Sequence, residues 1–476
     1  MIRKVMRFFL LLQTSVFICL FPLVYPSQAD QIKFKVGTLG PKGTSVTLGV
    51  DLWIGSYLDQ VAKSLGHSVS LIGYYGGIMG DDPQMMQKAQ MGQLDILTPT
   101  VNGLPQISKE IEVLYMAYLI NEYGKLDYVS RKFFKDYQNI LWGKGWLSIN
   151  GLISEGYHEL YMKGPWRTPE QLKKNLTACN YTGGPDDTFF KALGIPQVPI
   201  MPPEMYSSFK AGLSNAVILP STFVIGMQIY SALPYIMRPA VRTSISAVLM
   251  TRARFESLPR DFQVGFVPAI PLLRHWTAMF MRDGAEAYTN AMVKYGSKIV
   301  TLTPSELKAI RDPAVAYRET YLGNDTVKRS RYEKVIGALR EYDGGNPIEK
   351  AMYKEDPYCV HFPKKMKRLA QAIKSYVNSG SKAELGRLEG EKVLPKWILY
   401  DFVEACEKDI EAKGHANLKA WMEGFLPQAL VDEMFTKHQG DVDKVFGTKA
   451  KLATWLNMLL VPLEDPRYKG FQEPLK

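Results

Sequence analysis

Residues 32–38 (IKFKVGT) alternate apolar and polar side chains, the period of a half-buried strand. From Thr44 to about Ser64 the period lengthens. Val46, Val50, Trp53, Ile54, Tyr57, Leu58 and Val61 recur three or four apart, which predicts an amphipathic helix capped by Thr44. SVSLIGY at 68–74 predicts a second strand. Asp82 as N-cap, Pro83 in the first helical position and Gly92 at the C-terminal end bracket the next helix, and LDILT at 94–98 returns as a strand. Strand, helix, strand, helix, strand is a βαβαβ half-domain built on a parallel sheet.

The alternation then resumes. Residues 125–144 predict a helix and 146–155 a strand with a turn. Thr168-Pro169-Glu170 opens a short helix. Strands at 176–182, 197–200, 215–219 and 244–251 are separated by helices at 186–193 and 203–211. This second series predicts a second α/β lobe. A long helical stretch runs from Pro259 to Tyr295, with a break near Pro268 and Pro271. A short strand at 299–303 and a helix from Pro304 follow. Beyond about residue 324 strand signals vanish, and helices separated by Gly and Pro remain. Residues 324–476 carry 26 Lys+Arg against 23 Asp+Glu. There is no internal repeat.

The N-terminus obeys a different pattern. Arg3, Lys4 and Arg7 precede the apolar run 8–25, and Ser27-Gln28-Ala29 is a small-x-small site. These features read as a secretory signal peptide at 1–29, cleaved after Ala29, rather than a membrane anchor. Cleavage lowers the formal charge from +11 to +8 and leaves 447 of 476 residues, bound for the periplasm. Of the four cysteines, Cys179, Cys359 and Cys406 remain, enough for one intrachain disulfide. Cys359 can pair with Cys406, or all three can stay thiols. The basic balance leaves an anionic surface or an acidic solute open as partners. Export and the lack of a recognition motif argue against nucleic acid. No histidine or cysteine spacing marks a metal site, and no cofactor motif is present. The glycines of GTLGPKG at 37–43 do not have dinucleotide spacing, but they lead into a helix N-terminus able to hold an anionic or polar group.

GGIMGDDPQMMQKAQMGQLD at 76–95 resembles the signature of the solute receptors of TRAP (tripartite ATP-independent periplasmic) transporters, the DctP family. Further matching points follow in order: Glu112-Val113-Leu114 with Tyr118-Leu119, Pro165 to Leu172 (PWRTPEQL), Lys191 to Gly194 before Val198-Pro199, and Glu204-Met205-Tyr206 with Phe209, Ala211 and Gly212. Phe255 to Pro259 and Thr303 to Leu307 complete the series. The resemblance covers about 31–320; nothing familiar matches 325–476. It implies a two-lobed α/β periplasmic-binding fold, lobe I at about 30–150 and lobe II at about 151–243, each with later return segments. It also implies closure around a small organic solute, commonly an acid, and delivery to membrane subunits driven by an ion gradient. The helical remainder, 324–476, is then an extension.

Departures from the family pattern fall on its polar contacts. The arginine that clamps a solute carboxylate in relatives aligns with Cys179, a second arginine with His158, and an asparagine with Leu219. A thiol cannot supply a guanidinium's fixed bidentate charge. The chain is therefore expected to bind its solute without the standard clamp: a less acidic or more aromatic solute, or an anion held by His158 and the 40–44 helix terminus. The expected cleft residues are Thr38, Lys42, Thr44, Asp82, Thr98, Asn102, Tyr157, His158, Cys179, Tyr181 and Thr222. Capping alone accounts for Asp82. Two other classes remain open: a periplasmic sensor or scaffold receptor, and a small-molecule enzyme pairing Cys179 with His158. Residues 361–374 predict a basic amphipathic helix, with Met366, Leu369 and Ile373 on one face. It suits either packing or docking to a membrane surface or protein.

Overall fold

The computed structural model describes residues 31–180, 185–353 and 362–465. Eleven strands are described among these residues: β1 (Gln31–Thr38), β2 (Ser68–Tyr74), β3 (Ile96–Thr98), β4 (Trp146–Ser148), β5 (Tyr157–Met162), β6 (Ala178–Cys179), β7 (Gln197–Val198), β8 (Ala216–Pro220), β9 (Tyr235–Thr243), β10 (Leu249–Thr251) and β11 (Lys298–Thr301). They form two mixed sheets, ordered β2-β1-β3-β10-β4 and β11-β9-β5-β8-β6-β7. In the first sheet β1 runs parallel to β2 and β3, while β10 enters antiparallel between β3 and β4. In the second, β5 is antiparallel to both β8 and β9.

Two segments cross between the sheets. Chain 149–156 leaves β4 for β5, and 244–248 leaves β9 for β10. They pair with each other: Ile149 N–H donates to Val248 O (2.9 Å), Ser246 N–H to Ile153 O (3.0 Å) and Ser244 N–H to Gly156 O (2.9 Å). This antiparallel ribbon is the hinge. Gly156 holds φ of 120°, and a Cβ there would lie 2.6 Å from Ala285 Cβ, so only glycine fits.

The helix predicted from Thr44 is present, but Thr44 is not its side-chain cap; its hydroxyl donates to Pro41 O (2.6 Å). Midway the helix widens into a π-helical turn, Trp53–Leu58. Nor is Asp82 a cap. Asp81 caps the helix Asp82–Gln90 in a capping box with Gln84, and Asp82 is the first helical residue, turned inward. The expected strand 244–251 is a strand only at Leu249–Thr251, because 244–248 is spent on the hinge. Of the expected strand 176–182, Ala178–Cys179 is strand among the described residues, and 181–182 lie outside them. β9 breaks its alternation at Arg238, the cis bond to Pro239 and Arg242, which conceals the longest strand of the second sheet.

The long helix Ile270–Lys294 carries the join between the receptor lobes and the helices that follow. Trp276 on this helix stacks on Phe280 (5.1 Å between ring centroids), meets Trp53 edge-on (4.2 Å), and packs against Phe362 (5.4 Å). One apolar core therefore runs from the first sheet into the helices beyond residue 324. Buried charge ties the same pieces together. Arg282 holds Asp127 at 2.6 and 2.8 Å, and Tyr353 O–H donates to Asp127 at 2.7 Å. Arg331 of the helix Thr326–Gly344 reaches Glu110 at 2.8 Å. The helix Phe362–Ser379 buries Met366, Leu369 and Ile373 as its pattern predicts, while Arg368 pairs with Glu384 and Glu391, and Lys374 with Glu464. Cys406 is a buried free thiol; Cys359 lies outside the described residues.

Candidate functional site

The hinge ribbon brings polar groups into the seam between the lobes. Glu155 is buried on one strand of the ribbon, Ser244 and Ser246 on the other. Ser244 Oγ lies 3.4 Å from Glu155 Oε2 and 2.9 Å from His158 Nε2. The serine has one proton. If it donates to Glu155, His158 donates Nε2–H to the serine, and His158 Nδ1 is left as an acceptor. That atom is buried and has no partner. Burial pushes the Glu155 carboxyl up to about 7, against the opposing hydrogen bonds from Ser246 and Ser244; the nearby charge of Asp82 adds to the rise. Burial, reinforced by Arg242, pushes His158 well down, so it is neutral.

The first lobe contributes the ends of β1 and β3. Thr98 closes β3, buried, with its Oγ1 unpartnered. Asp82 accepts from the Thr100 backbone N–H (3.1 Å) and from its hydroxyl; burial raises its carboxyl to about 6 although these bonds oppose it. Thr38 Oγ1 accepts from Gly40 N–H (3.0 Å), which fixes the loop after β1. Thr44 is buried in that loop, whereas Lys42 is exposed at its tip. Asn102 is half-buried and donates its N–H to Thr100 Oγ1 (3.3 Å).

The second lobe contributes Thr222, on the helix Ser221–Gly226, with Oγ1 buried and unpartnered. It also contributes Arg242, which is 1% exposed. Its guanidinium grips Asp186 with two bonds of 2.9 and 2.8 Å and lies 5.5 Å over the ring of Tyr115 from the first lobe. The lobes touch where Pro41 meets Gly226: a Cβ on Gly226 would sit 2.6 Å from Pro41 Cβ. The seam is closed there. Beside it, a cavity of about 30 Å³ is bounded by Trp53, Thr98, Asn150, Glu155, Ser246 and Met281 among others.

Two expected residues point elsewhere. Cys179 stands in register with Val217, which is in register with Tyr161, so it shares the β5 face of Tyr157, Glu159 and Tyr161. His158 is on the opposite face. Cys179 Sγ lies among apolar side chains, 3.8 Å from Ile200 O. The two therefore do not form a nucleophile–base pair. Tyr157 stacks on Tyr123 (centroids 4.3 Å apart) toward the long helix, away from His158. Tyr181 lies outside the described residues. Sequence reasoning missed Glu155, Ser244, Ser246, Asp186 and Arg242. Glu155 directly precedes the Gly156-Tyr157-His158 stretch already singled out, so its signal was at hand; Arg242 was hidden with β9.

The model of bacterial extracellular solute-binding proteins, family 7 (DctP), matches residues 54–322, more than half of the chain. The chain belongs to this family. DctP-family proteins are solute-binding receptors, and the two hinged sheets agree. A TRAP periplasmic solute-binding protein from Ochrobactrum anthropi is 18% identical, with a TM-score of 0.58 over 67% of this chain and 97% of its own. A sugar acid binding protein from Advenella mimigardefordensis, in complex with galactonate, is 14% identical, with a TM-score of 0.58 over 66% and 99%. A TRAP periplasmic protein from Shewanella oneidensis with bound succinate is 14% identical, with a TM-score of 0.57 over 65% and 99%. At these identities the likeness establishes the DctP fold, and about a third of the present chain lies beyond each of these structures. No curated protein matches the chain.

Proposed function

We propose that the chain captures a small organic solute between its lobes and delivers it to the membrane subunits of an ion-gradient-driven TRAP transporter. One observation carries this reading. Buried polar atoms without partners, Thr98 Oγ1, His158 Nδ1 and Thr222 Oγ1, come from the first lobe, the foot of the hinge and the second lobe. Buried polar atoms are normally satisfied, so unsatisfied ones on both lobes and at the hinge are candidate partners for a polar ligand. Thr38, Thr44, Asp82 and Asn102 support the seam, with Lys42 at its outer rim. In this reading residues 1–29 export the chain and the mature protein works in the periplasm. Among the described residues no helix is long and apolar enough to cross a membrane.

Binding rather than catalysis is favoured because His158 and Cys179 face opposite sides of one sheet. Residues 324–476 serve as a buttress of the first lobe. The ion pairs of Arg368 and Lys374 favour packing over membrane docking for the helix Phe362–Ser379. The test is native purification of the mature protein, followed by mass spectrometry of its small-molecule extract and X-ray scattering with and without the solute found. A stoichiometric solute and a smaller radius of gyration with it are expected. A protein that carries no solute, and whose dimensions no small organic solute changes, overturns the reading.

A further inference from the structure

The lobes are joined by the ribbon of 149–156 and 244–248, and by the long helix Ile270–Lys294. Trp276 and Phe280 of that helix lie in the core of the first sheet, Tyr288 and Met292 in a core of the second. A further passage follows, where the extension begins. The helix Pro304–Leu322 belongs to the second lobe. Arg167 holds its Glu306 at 2.9 and 3.2 Å, and Ile310 and Ala314 are buried with Phe189, Ile218 and Met237. Arg318 donates to Ala117 O at 2.6 Å, beside Tyr118, whose N–H pairs with Val241 O of β9 (2.8 Å). The next helix, Thr326–Gly344, belongs to the first lobe. Lys328 reaches Glu112 at 2.6 Å, Arg331 reaches Glu110, and Val335 and Ala338 are buried with Leu114 and Leu126.

Only Gly323, Asn324 and Asp325 separate these two helices. The corner has no slack. Gly323 N–H donates to Glu319 O (3.1 Å), and its φ of 48°, suited to glycine, turns the chain. Asp325 caps the second helix, accepting from the N–H groups of Val327 (3.1 Å) and Lys328 (3.0 Å). Arg329 closes the corner from the other side, donating to Glu319 Oε2 (3.0 Å) and to Gly323 O (3.1 Å). Even fully extended, the chain from Leu322 to Thr326 spans about 14 Å. Parting of the lobes therefore pulls on this corner.

We propose that the corner from Glu319 to Arg329 is a strap that ties the second lobe to the body formed by the first lobe and the extension, so that the solute-free lobes part only narrowly. The inference rests on the solute-receptor reading, in which the lobes open and close. The family match ends at residue 322, the last residue of the second-lobe helix, so the passage back to the first lobe is made by residues outside it. The extension then does more than support the first lobe. A hinge ribbon by itself permits both bending and twisting; a second attachment that cannot lengthen removes the twist and limits the bend. A receptor held near its closed form also gives up less affinity to populating that form.

The test is insertion of six Gly/Ser residues between Gly323 and Asn324, a flexible link of about 13 Å. The same insert between Gly380 and Ser381, an exposed link inside the extension, is the control. X-ray scattering of the solute-free mature chains reads the opening. The strap insert is expected to raise the radius of gyration and the maximum dimension beyond those of the control, with thermal unfolding within a few degrees of wild type. Lys328→Ala combined with Arg329→Ala frees the first turn of the helix Thr326–Gly344 without lengthening the chain. It should shift the dimensions the same way by less, and it decides the matter if the insert does not fold. Equal dimensions for wild type, strap variants and control, with a stoichiometric solute in the native extract, overturn the strap and leave the receptor reading standing. Equal dimensions, an extract free of solute, and no small organic solute that changes any of these chains overturn both.

Discussion

Replacing Glu155 by Gln separates the cost of its charge from its packing, because the amide keeps the shape and can still accept from Ser244 and Ser246. The folded carboxyl sits near 7 and the ordinary value is 4.5. Between these pH values the folded chain keeps a proton that the unfolded chain has lost. Stability therefore falls as pH rises from about 4.5 to about 7. The gap corresponds to about 3 kcal/mol. Glu155→Gln is expected to be more stable than wild type by that order at pH 8, with the difference fading by pH 4.5. Urea unfolding at a series of pH values measures it, and a pH-independent difference would remove the argument. This residue also marks how far the sequence could be read. His158, Thr98 and Thr222, singled out from their place after strands or in family motifs, are buried and each keeps a polar atom without a partner. Cys179 was placed with His158 because alignment gives position along a strand and not the face it turns to. One residue of offset between strands reverses that face.

At the scale of elements, β1, β2 and β3 of the first sheet were legible because they alternate with helices and are punctuated by glycine, proline and capping residues. β4 and β10, expected in the second series, join the first sheet because the chain crosses back through the hinge. The second sheet was only partly legible. β5 carries His158 and Glu159 at buried positions, and β9 carries Arg238, Pro239 and Arg242, all residue types that read as loop or surface. Their burial is stabilised by pairing that only the folded chain creates, such as Arg238 with Glu159 and Arg242 with Asp186. The helices after residue 324 were legible as helices, yet nothing in their amphipathic pattern told what their apolar faces cover. They cover the first lobe. Asp127 stands at that join. Burial pushes its carboxyl up, but Arg282 and Arg274 outweigh burial and hold it well below the usual range. Asp127→Asn strips two buried guanidinium groups of their counter-charge, a change that costs about 3–5 kcal/mol. The expected result is one cooperative unfolding transition at lower denaturant, with hydrogen exchange rising together in 123–143 and 396–412. Exchange confined to either stretch would mean that the extension folds as an independent unit.

For the whole molecule, the continuous core between the first lobe and the extension makes these two a single body, hinged to the second lobe by the ribbon of 149–156 and 244–248. Opening then moves the smaller second lobe against a heavy frame, and contacts made only in the closed form decide how far solute binding is favoured. Gly226 makes a contact between the lobes of the kind that opening would break. It is the last residue of the helix Ser221–Gly226 in the second lobe, and its missing Cβ admits Pro41 and Thr44 of the first lobe. Gly226→Val adds carbon atoms into that contact and nowhere into either lobe's own core. Each lobe should fold normally while the closed arrangement becomes unfavourable. A ligand that binds only the closed form then loses affinity by the fraction of closed protein removed, so a 100-fold shift in closure costs about 100-fold in Kd. X-ray scattering of Gly226→Val with saturating solute should keep the open dimensions, thermal unfolding should stay within a few degrees of wild type, and solute dissociation should be faster. Unchanged affinity with a compact Gly226→Val chain would place the closing contact elsewhere along the seam.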